Sequence, residues 1–185
     1  MSTQYYTASS LDGFLADEHH SLEWLFQFPQ DIETDYLPFL SQVGALCMGS
    51  HTYEWLWRHH FAPDAPQPMA WPYTQPTWVF TSRALPRLEG ADVTFVRGDV
   101  RPVHRAMQAA AGTQNIWIMG GGELAGQFSD AGLLDELIIT IAPVTLGRGM
   151  PLLPRRIVTP PFVLADVRQV GGVFAQLRYT IPRPS

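Results

Sequence analysis

Three consecutive glycines, Gly120-Gly121-Gly122, stand between an apolar run, Ile116 to Met119, and the helix-favouring Glu123-Leu124-Ala125. That order is a strand handing over to a helix. Glycines in a row cost backbone entropy on folding and bury nothing. The junction therefore needs φ above zero, or something approaches its backbone closely. A tight turn with no ligand satisfies the first condition. A phosphate set against the unpaired N–H groups of a helix N-terminus satisfies the second.

The same handover recurs along the chain. Short apolar runs at Tyr5–Ala8, Ala45–Met48, Thr77–Thr81, Val93–Val96 and Leu137–Ile141 read as strands, and Phe14-Leu15-Ala16 as a brief return to extended structure. Leu137–Ile141 is apolar and largely β-branched, the mark of a strand buried on both faces. Between the strands, Tyr53–Trp57, Pro102–Ala111 and Glu123–Ser129 read as helices, the second with Val103, Ala106, Met107 and Ala110 on its buried face. Thr34 is placed as the cap of a further helix carrying Leu37, Leu40 and Val43 on one side, with Pro38 in its first turn. Leu22–Phe28 reads as a short aromatic turn or helix. Prolines 63, 66, 68, 72 and 76 forbid regular structure through most of 61–76, which reads as a long surface loop. Phe162–Val170 and Val173–Ile181 form a closing hairpin across Gly171-Gly172. The expected fold is α/β, a single domain over 1–185. Its central mixed, mostly parallel sheet is flanked by helices and ends in an antiparallel hairpin.

Composition narrows the function classes. The net charge is −5, with no basic stripe, which argues against nucleic acid. The sole cysteine, Cys47, lies between Leu46 and Met48 and reads as a buried free thiol. The start has no signal-peptide pattern, and no apolar stretch approaches the roughly 18–20 residues that span a bilayer. The expectation is a cytoplasmic protein. The pairs His19-His20 and His59-His60 read as surface residues, because adjacent histidines diverge and no carboxylate spacing supports a metal site.

In a parallel sheet, ligands bind beyond the carboxyl ends of the strands. Three such ends carry small or polar residues: Gly49-Ser50-His51-Thr52, Thr81-Ser82-Arg83 and Gly120-Gly121-Gly122-Glu123. Neither a Walker loop nor a G-x-G-x-x-G fingerprint is present.

Five segments in order carry a resemblance: SLDGFLA (10–16), GALCMGSHTYEWL (44–56), TWVFTSR (77–83), IWIMGGGELAGQF (116–128) and LLDELIITIAPVTLGRGMPLL (133–153). Together they resemble the riboflavin-biosynthesis reductase domain family, the RibD C-terminal type, a branch of the dihydrofolate reductase-like fold. The resemblance implies NADPH bound in an extended pose. Gly49, Ser50, His51, Thr52 and Tyr53 would lie near its phosphates and ribose. Thr81, Ser82 and Arg83 would lie at the adenosine end, with Arg83 facing a 2′-phosphate. Gly120, Gly121, Gly122, Glu123 and Leu124 would cradle the pyrophosphate, and Ala8 and Leu15 would flank the nicotinamide. It also implies a homodimer. Ser50 departs from the pattern, since many relatives have arginine there; NADH stays open beside NADPH. The zinc deaminase signature of the bifunctional riboflavin enzymes is absent, so a stand-alone reductase-like domain is expected.

For the reacting end, the carboxylate candidates are Asp12, which would also shape the loop over the site, and Asp35, chosen from Asp31, Glu33 and Asp35. Trp24 resembles the family's tryptophan near the first loop and is the candidate substrate contact. Trp55, Trp57, Phe61, Trp71 and Tyr73 could stack on a flat substrate or form a lid. Arg148 reads first as part of a turn and second as a substrate contact. The functional expectation is a reductase passing hydride from NADPH to a small heteroaromatic or pteridine-like molecule. The alternative is a non-catalytic nucleotide- or ligand-binding module of the same fold.

Overall fold

The computed structural model describes residues 1–28 and 33–182, and of residues 33–35 the backbone alone. Ten strands alternate with four helices. The strands are β1 (Thr3–Ser10), β2 (Phe14–Ala16), β3 (Val43–Gly49), β4 (Thr77–Phe80), β5 (Val93–Val96), β6 (Asn115–Gly120), β7 (Glu136–Ala142), β8 (Met150–Pro151), β9 (Val163–Val170) and β10 (Phe174–Thr180). The helices are α1 (Glu33–Leu40), α2 (Ser50–Leu56), α3 (Val100–Ala111) and α4 (Gly122–Asp130). A 3-10 turn occupies Glu23–Leu25, and α2 runs on as a π-helical segment, Trp57–Phe61.

Eight strands form one sheet in the order β5-β4-β3-β6-β1-β7-β10-β9, while β2 and β8 pair separately. From β5 to β7 every pairing is parallel; β10 turns antiparallel to β7, and β9 to β10. Helices α3 and α4 pack Val103, Met107, Leu124, Ala125 and Phe128 on one face of the sheet, against Tyr5, Cys47, Ile118 and Ile139. On the opposite face α1 sets Tyr36, Phe39 and Leu40 against Val43, Leu46 and Trp117. There α2 sets Tyr53 against Met48 and Val79. Cys47 is fully buried and burial pushes its thiol pKa up, so it is an inert core residue as expected.

The expected strands and the hairpin are present, and β7 is buried on both faces. Three local readings change. Helix α3 starts earlier, at Val100, because Asp99 caps it by accepting the Arg101 N–H at 3.1 Å. Its buried stripe is therefore Val103, His104, Met107 and Ala111, with Ala106 and Ala110 outside. Val43 opens β3 rather than continuing α1, and Pro38 lies inside α1 rather than in its first turn. The proline-rich segment has no regular structure from 62 to 76, yet it is more than a surface loop. Trp71 packs onto the cluster around Tyr53 and Tyr73 onto that around Trp117.

Candidate functional site

Strands β3 and β6 are adjacent, but the chain leaves them in opposite directions. After β3 it passes through α2 to β4; after β6 it passes through α4 to β7, beyond β1. Such a divergence opens a crevice at the carboxyl ends of the two strands. Its two lips are Gly49, where α2 begins, and Gly120–Gly122, where α4 begins.

The three glycines differ in their reasons. Gly121 has φ +100°, the left-handed region that an L side chain rarely adopts. A Cβ on Gly122 would collide with the carbonyl of Pro151 and lie 2.6 Å from that of Leu152. A Cβ on Gly120 would lie 2.7 Å from Thr52 Oγ1. So the close approach at Gly120 and Gly122 comes from the chain itself. Gly49 is the contrast. A Cβ there would meet nothing nearer than 3.8 Å and its φ is −79°, so neither packing nor backbone strain requires glycine. A side chain at Gly49 would instead fill space beside Gly120 and Gly121, whose backbones are its nearest neighbours.

The first helical bond of α4 runs from the Ala125 N–H to the Gly121 carbonyl. The N–H groups of Gly122, Glu123 and Leu124 therefore have no acceptor within their helix, and no side chain caps α4 at Gly121. At α2 the cap residue Gly49 likewise has no side-chain bond to offer. Two bare helix starts thus face one crevice, a donor set suited to a pyrophosphate. The chemistry of the lips, backbone N–H donors beside a position with no side chain, suits a phosphate group.

Not every expected side chain points there. The Tyr53 ring is fully buried against Phe95, with its hydroxyl donating to the Pro86 carbonyl at 2.8 Å. Leu124 is in the core. Glu123 is clamped outward by Arg155, which donates to both its oxygens at 2.8 Å and holds its pKa below the usual carboxylate range. Glu123 and Leu124 thus offer backbone N–H groups alone, and Tyr53 holds the helix down.

At the end of β4, Thr81 closes a turn by accepting the Arg83 N–H at 3.0 Å, with Ser82 exposed. The Arg83 guanidinium reaches back across the strand ends to α2. Its Nη2 donates to Ser50 Oγ at 2.9 Å and to Glu54 Oε2 at 2.8 Å. Sequence reasoning missed Glu54. Its signal was its spacing, one helical turn after Ser50. His51 stacks on His20, ring centroids 4.3 Å apart, which ties the 17–21 loop to α2. Partial burial, then the nearby His20 and Arg83, hold the His51 pKa below its ordinary value. His59 and His60 bond backbone carbonyls, and no metal-holding group occurs among the described residues.

Asp12 organises the loop over the strand ends, as expected. It accepts from Ser10 Oγ at 2.6 Å and from the N–H groups of Leu146 and Gly147 at 3.0 and 2.7 Å. The Ser10 bond leads in holding its pKa below the usual range. Arg148 belongs to the same loop and pairs with Glu18 at 3.1 Å. Ala8 lies on β1 and Leu15 on β2, both half-buried. Asp31 lies outside the described residues; Asp35 and Glu33 lie on α1, with side chains outside the description. Trp24 packs by Ala142, Val170 and Phe174, and its buried Nε1 has no partner among the described residues. Nearby, Phe26 stacks on Trp55 at 5.7 Å. Phe61 meets Trp71 at a tilt, ring centroids 5.4 Å apart, and Trp71 meets Tyr73 edge-on at 5.2 Å. Those rings pack on each other as a cover over the sheet.

Sheet order defines a dihydrofolate reductase-like α/β protein with a crevice at the β3–β6 switch point. A family model described as the RibD C-terminal domain matches residues 62–173. The uncharacterized protein YwjB of Bacillus subtilis (strain 168) is 34% identical over 178 residues, 96% of each chain. The riboflavin biosynthesis protein RibD of Escherichia coli (strain K12) is 43% identical over 63 residues, 31% of this chain and 17% of that protein. Among solved structures, a putative riboflavin biosynthesis protein from Shewanella sp. PV-4 superposes with a TM-score of 0.80 at 28% identity, over 99% of this chain and 100% of that one. Acinetobacter baumannii RibD shares the fold at a TM-score of 0.66 and 18% identity, over 97% of this chain and 57% of that one. The chain belongs to the RibD C-terminal domain family. No helix among the described residues is long and apolar enough to cross a membrane.

Proposed function

We propose that this protein is a reductase that binds NADPH in the β3–β6 crevice and reduces a small heteroaromatic or pteridine-like molecule in the cytoplasm, as a homodimer. The observation that carries the proposal is Gly49. Its missing side chain serves no packing or backbone need and leaves room beside Gly120 and Gly121, between two uncapped helix starts. Family membership supplies the reductase chemistry; the crevice supplies the place for a pyrophosphate. Gly49 to Thr52 and Gly120 to Leu124 would hold the phosphates through backbone N–H groups. Arg83 would lie at the adenosine end, and Ala8 and Leu15 beside the nicotinamide. The cofactor supplies the hydride, and the protein supplies binding, orientation and exclusion of water. Trp24 and the Phe26–Trp55 stack offer flat apolar surface to a heteroaromatic ring.

A second reading, a binding module without turnover, is favoured by the engagement of Asp12, whose oxygens are held within its own loop. Titration with NADPH and NADH, followed by tryptophan fluorescence and calorimetry, tests the cofactor. A screen of pterins and flavin precursors for NADPH oxidation then separates the readings. Saturable binding with oxidation of NADPH by one of these compounds is the expected result. Binding without oxidation across the screen favours the module, and no binding of either dinucleotide removes both cofactor readings.

A further inference from the structure

From the Arg83–Glu54–Ser50 cluster we infer that Glu54 is a specificity-determining residue, which turns the adenosine end of the cleft away from a 2′-phosphate and toward a free ribose hydroxyl. The inference rests on the dinucleotide reading above and refines its cofactor.

A guanidinium grips a phosphate with two parallel N–H bonds, through either its Nη1/Nη2 edge or its Nε/Nη2 edge. Nη2 belongs to both edges. In Arg83 the Nη2 group faces two acceptors, Ser50 Oγ at 2.9 Å and Glu54 Oε2 at 2.8 Å. Its two protons are thereby committed, and each two-pronged edge is short of one donor. Ser50 and Glu54 sit one turn apart on α2, so both face the same side of the helix. The Glu54 side chain is 18% exposed against 50% for Arg83, so the carboxylate is the sheltered, fixed partner. A 2′-phosphate approaching Arg83 would meet a cation already neutralised, with a carboxylate behind it. A ribose 2′-hydroxyl has the opposite fit. It can donate to the Glu54 carboxylate, the pairing by which acidic residues recognise NAD in other dinucleotide sites. Partial burial disfavours the charged form of His51, the residue after Ser50 on α2, so its ring is a poor replacement for the missing charge.

The test is a set of dissociation constants for NADPH and NADH, by calorimetry without substrate. The proteins are the wild type, Glu54→Gln, Arg83→Ala and the double variant, each checked for its thermal melt. The wild type is expected to bind both dinucleotides within about threefold of each other. Glu54→Gln should tighten NADPH about tenfold or more relative to NADH, by removing the negative charge that neutralises the guanidinium and faces the phosphate. Adding Arg83→Ala should erase that gain. Glu54→Asp, which withdraws the carboxylate by one methylene, replaces Glu54→Gln if the latter melts early, with the same direction expected. An unchanged NADPH-to-NADH ratio in these variants overturns the inference. So does weaker NADPH binding, which would mean that Glu54 presents Arg83 to the phosphate. If no protein in the set binds either dinucleotide, the reductase reading itself falls and takes the inference with it.

Discussion

Gly49 and Gly122 look alike in the sequence, but the structure separates them. A methyl at Gly49 meets only ordinary contacts, whereas one at Gly122 strikes the backbone of Pro151 and Leu152. Gly49→Ala should melt with the wild type yet bind dinucleotide at least about tenfold more weakly, because the methyl occupies the cleft. Gly122→Ala should lose roughly 1–3 kcal/mol to overpacking. For a chain of this size that lowers Tm by roughly 2–12 °C, read by circular dichroism. Equal binding by Gly49→Ala and wild type would show the gap at Gly49 to be idle. Asp12 invites a pH experiment. Its folded pKa is depressed, so its contribution to stability is present above the ordinary aspartate value of 3.8 and lost as pH falls through the folded value. Asp12→Asn should therefore melt below wild type at pH 7, and the gap should narrow in acid below about pH 4. A gap independent of pH would show that the carboxylate charge plays no part.

Elements were legible where apolar periodicity spoke and illegible where one cap or one turn decided. The strands of the parallel sheet could be read from short apolar runs, and the hairpin from Gly171-Gly172. The face of α3 was misplaced because Asp99, not a residue nearer Pro102, starts the helix. Of the pair β2–β8, Phe14–Ala16 was readable as extended, whereas Met150-Pro151 is too short to leave a pattern; Gly149, pressed against Ala16, is its trace in the sequence. At the site, the glycine lips were legible, but the inward burial of Tyr53 and the outward clamp on Glu123 were not. Those depend on partners, Pro86 and Arg155, that are distant in sequence. The same holds for the 17–21 loop, whose docking on α2 rests on His20 against His51. The charged and titratable groups around His51 are His20, Arg83, Glu54 and Arg58. Its folded pKa is depressed, so the contribution of the docked state is complete above the ordinary imidazole value of 6.5 and drains as pH falls below it. Amide protection factors in residues 17–21, taken relative to the intrinsic exchange rate at each pH, should fall between pH 7 and 5 in wild type and change less in His51→Phe, which keeps the stack without the proton. Parallel pH profiles in the two proteins would remove His51 from that role.

On the scale of the whole molecule, the sheet order explains both the cleft and the open edge. Insertion of β6 between β3 and β1 sends the chain in opposite directions from neighbouring strands, which places the cleft centrally. The same order puts β9 last, eight residues long and exposed along its length except at Val170. Val163, Leu164 and Val167 are each more than half exposed there. The opposite edge, β5, is four residues long and half-buried for the most part. A long bare edge templates pairing, and a two-fold axis lets β9 pair antiparallel with its own copy, each strand supplying the donors and acceptors the other lacks. This edge is accordingly where we propose that the homodimer would form. Light scattering at micromolar concentration should give the mass of two chains. Val167→Lys puts on the edge the residue that natural sheets use to discourage pairing, and should give the mass of one chain. Its dinucleotide binding should be unchanged, because β9 lies four strands from β6 and the cleft is built within one chain. A wild-type mass of one chain would refute the dimer. A two-chain mass that survives Val167→Lys would move the interface away from β9.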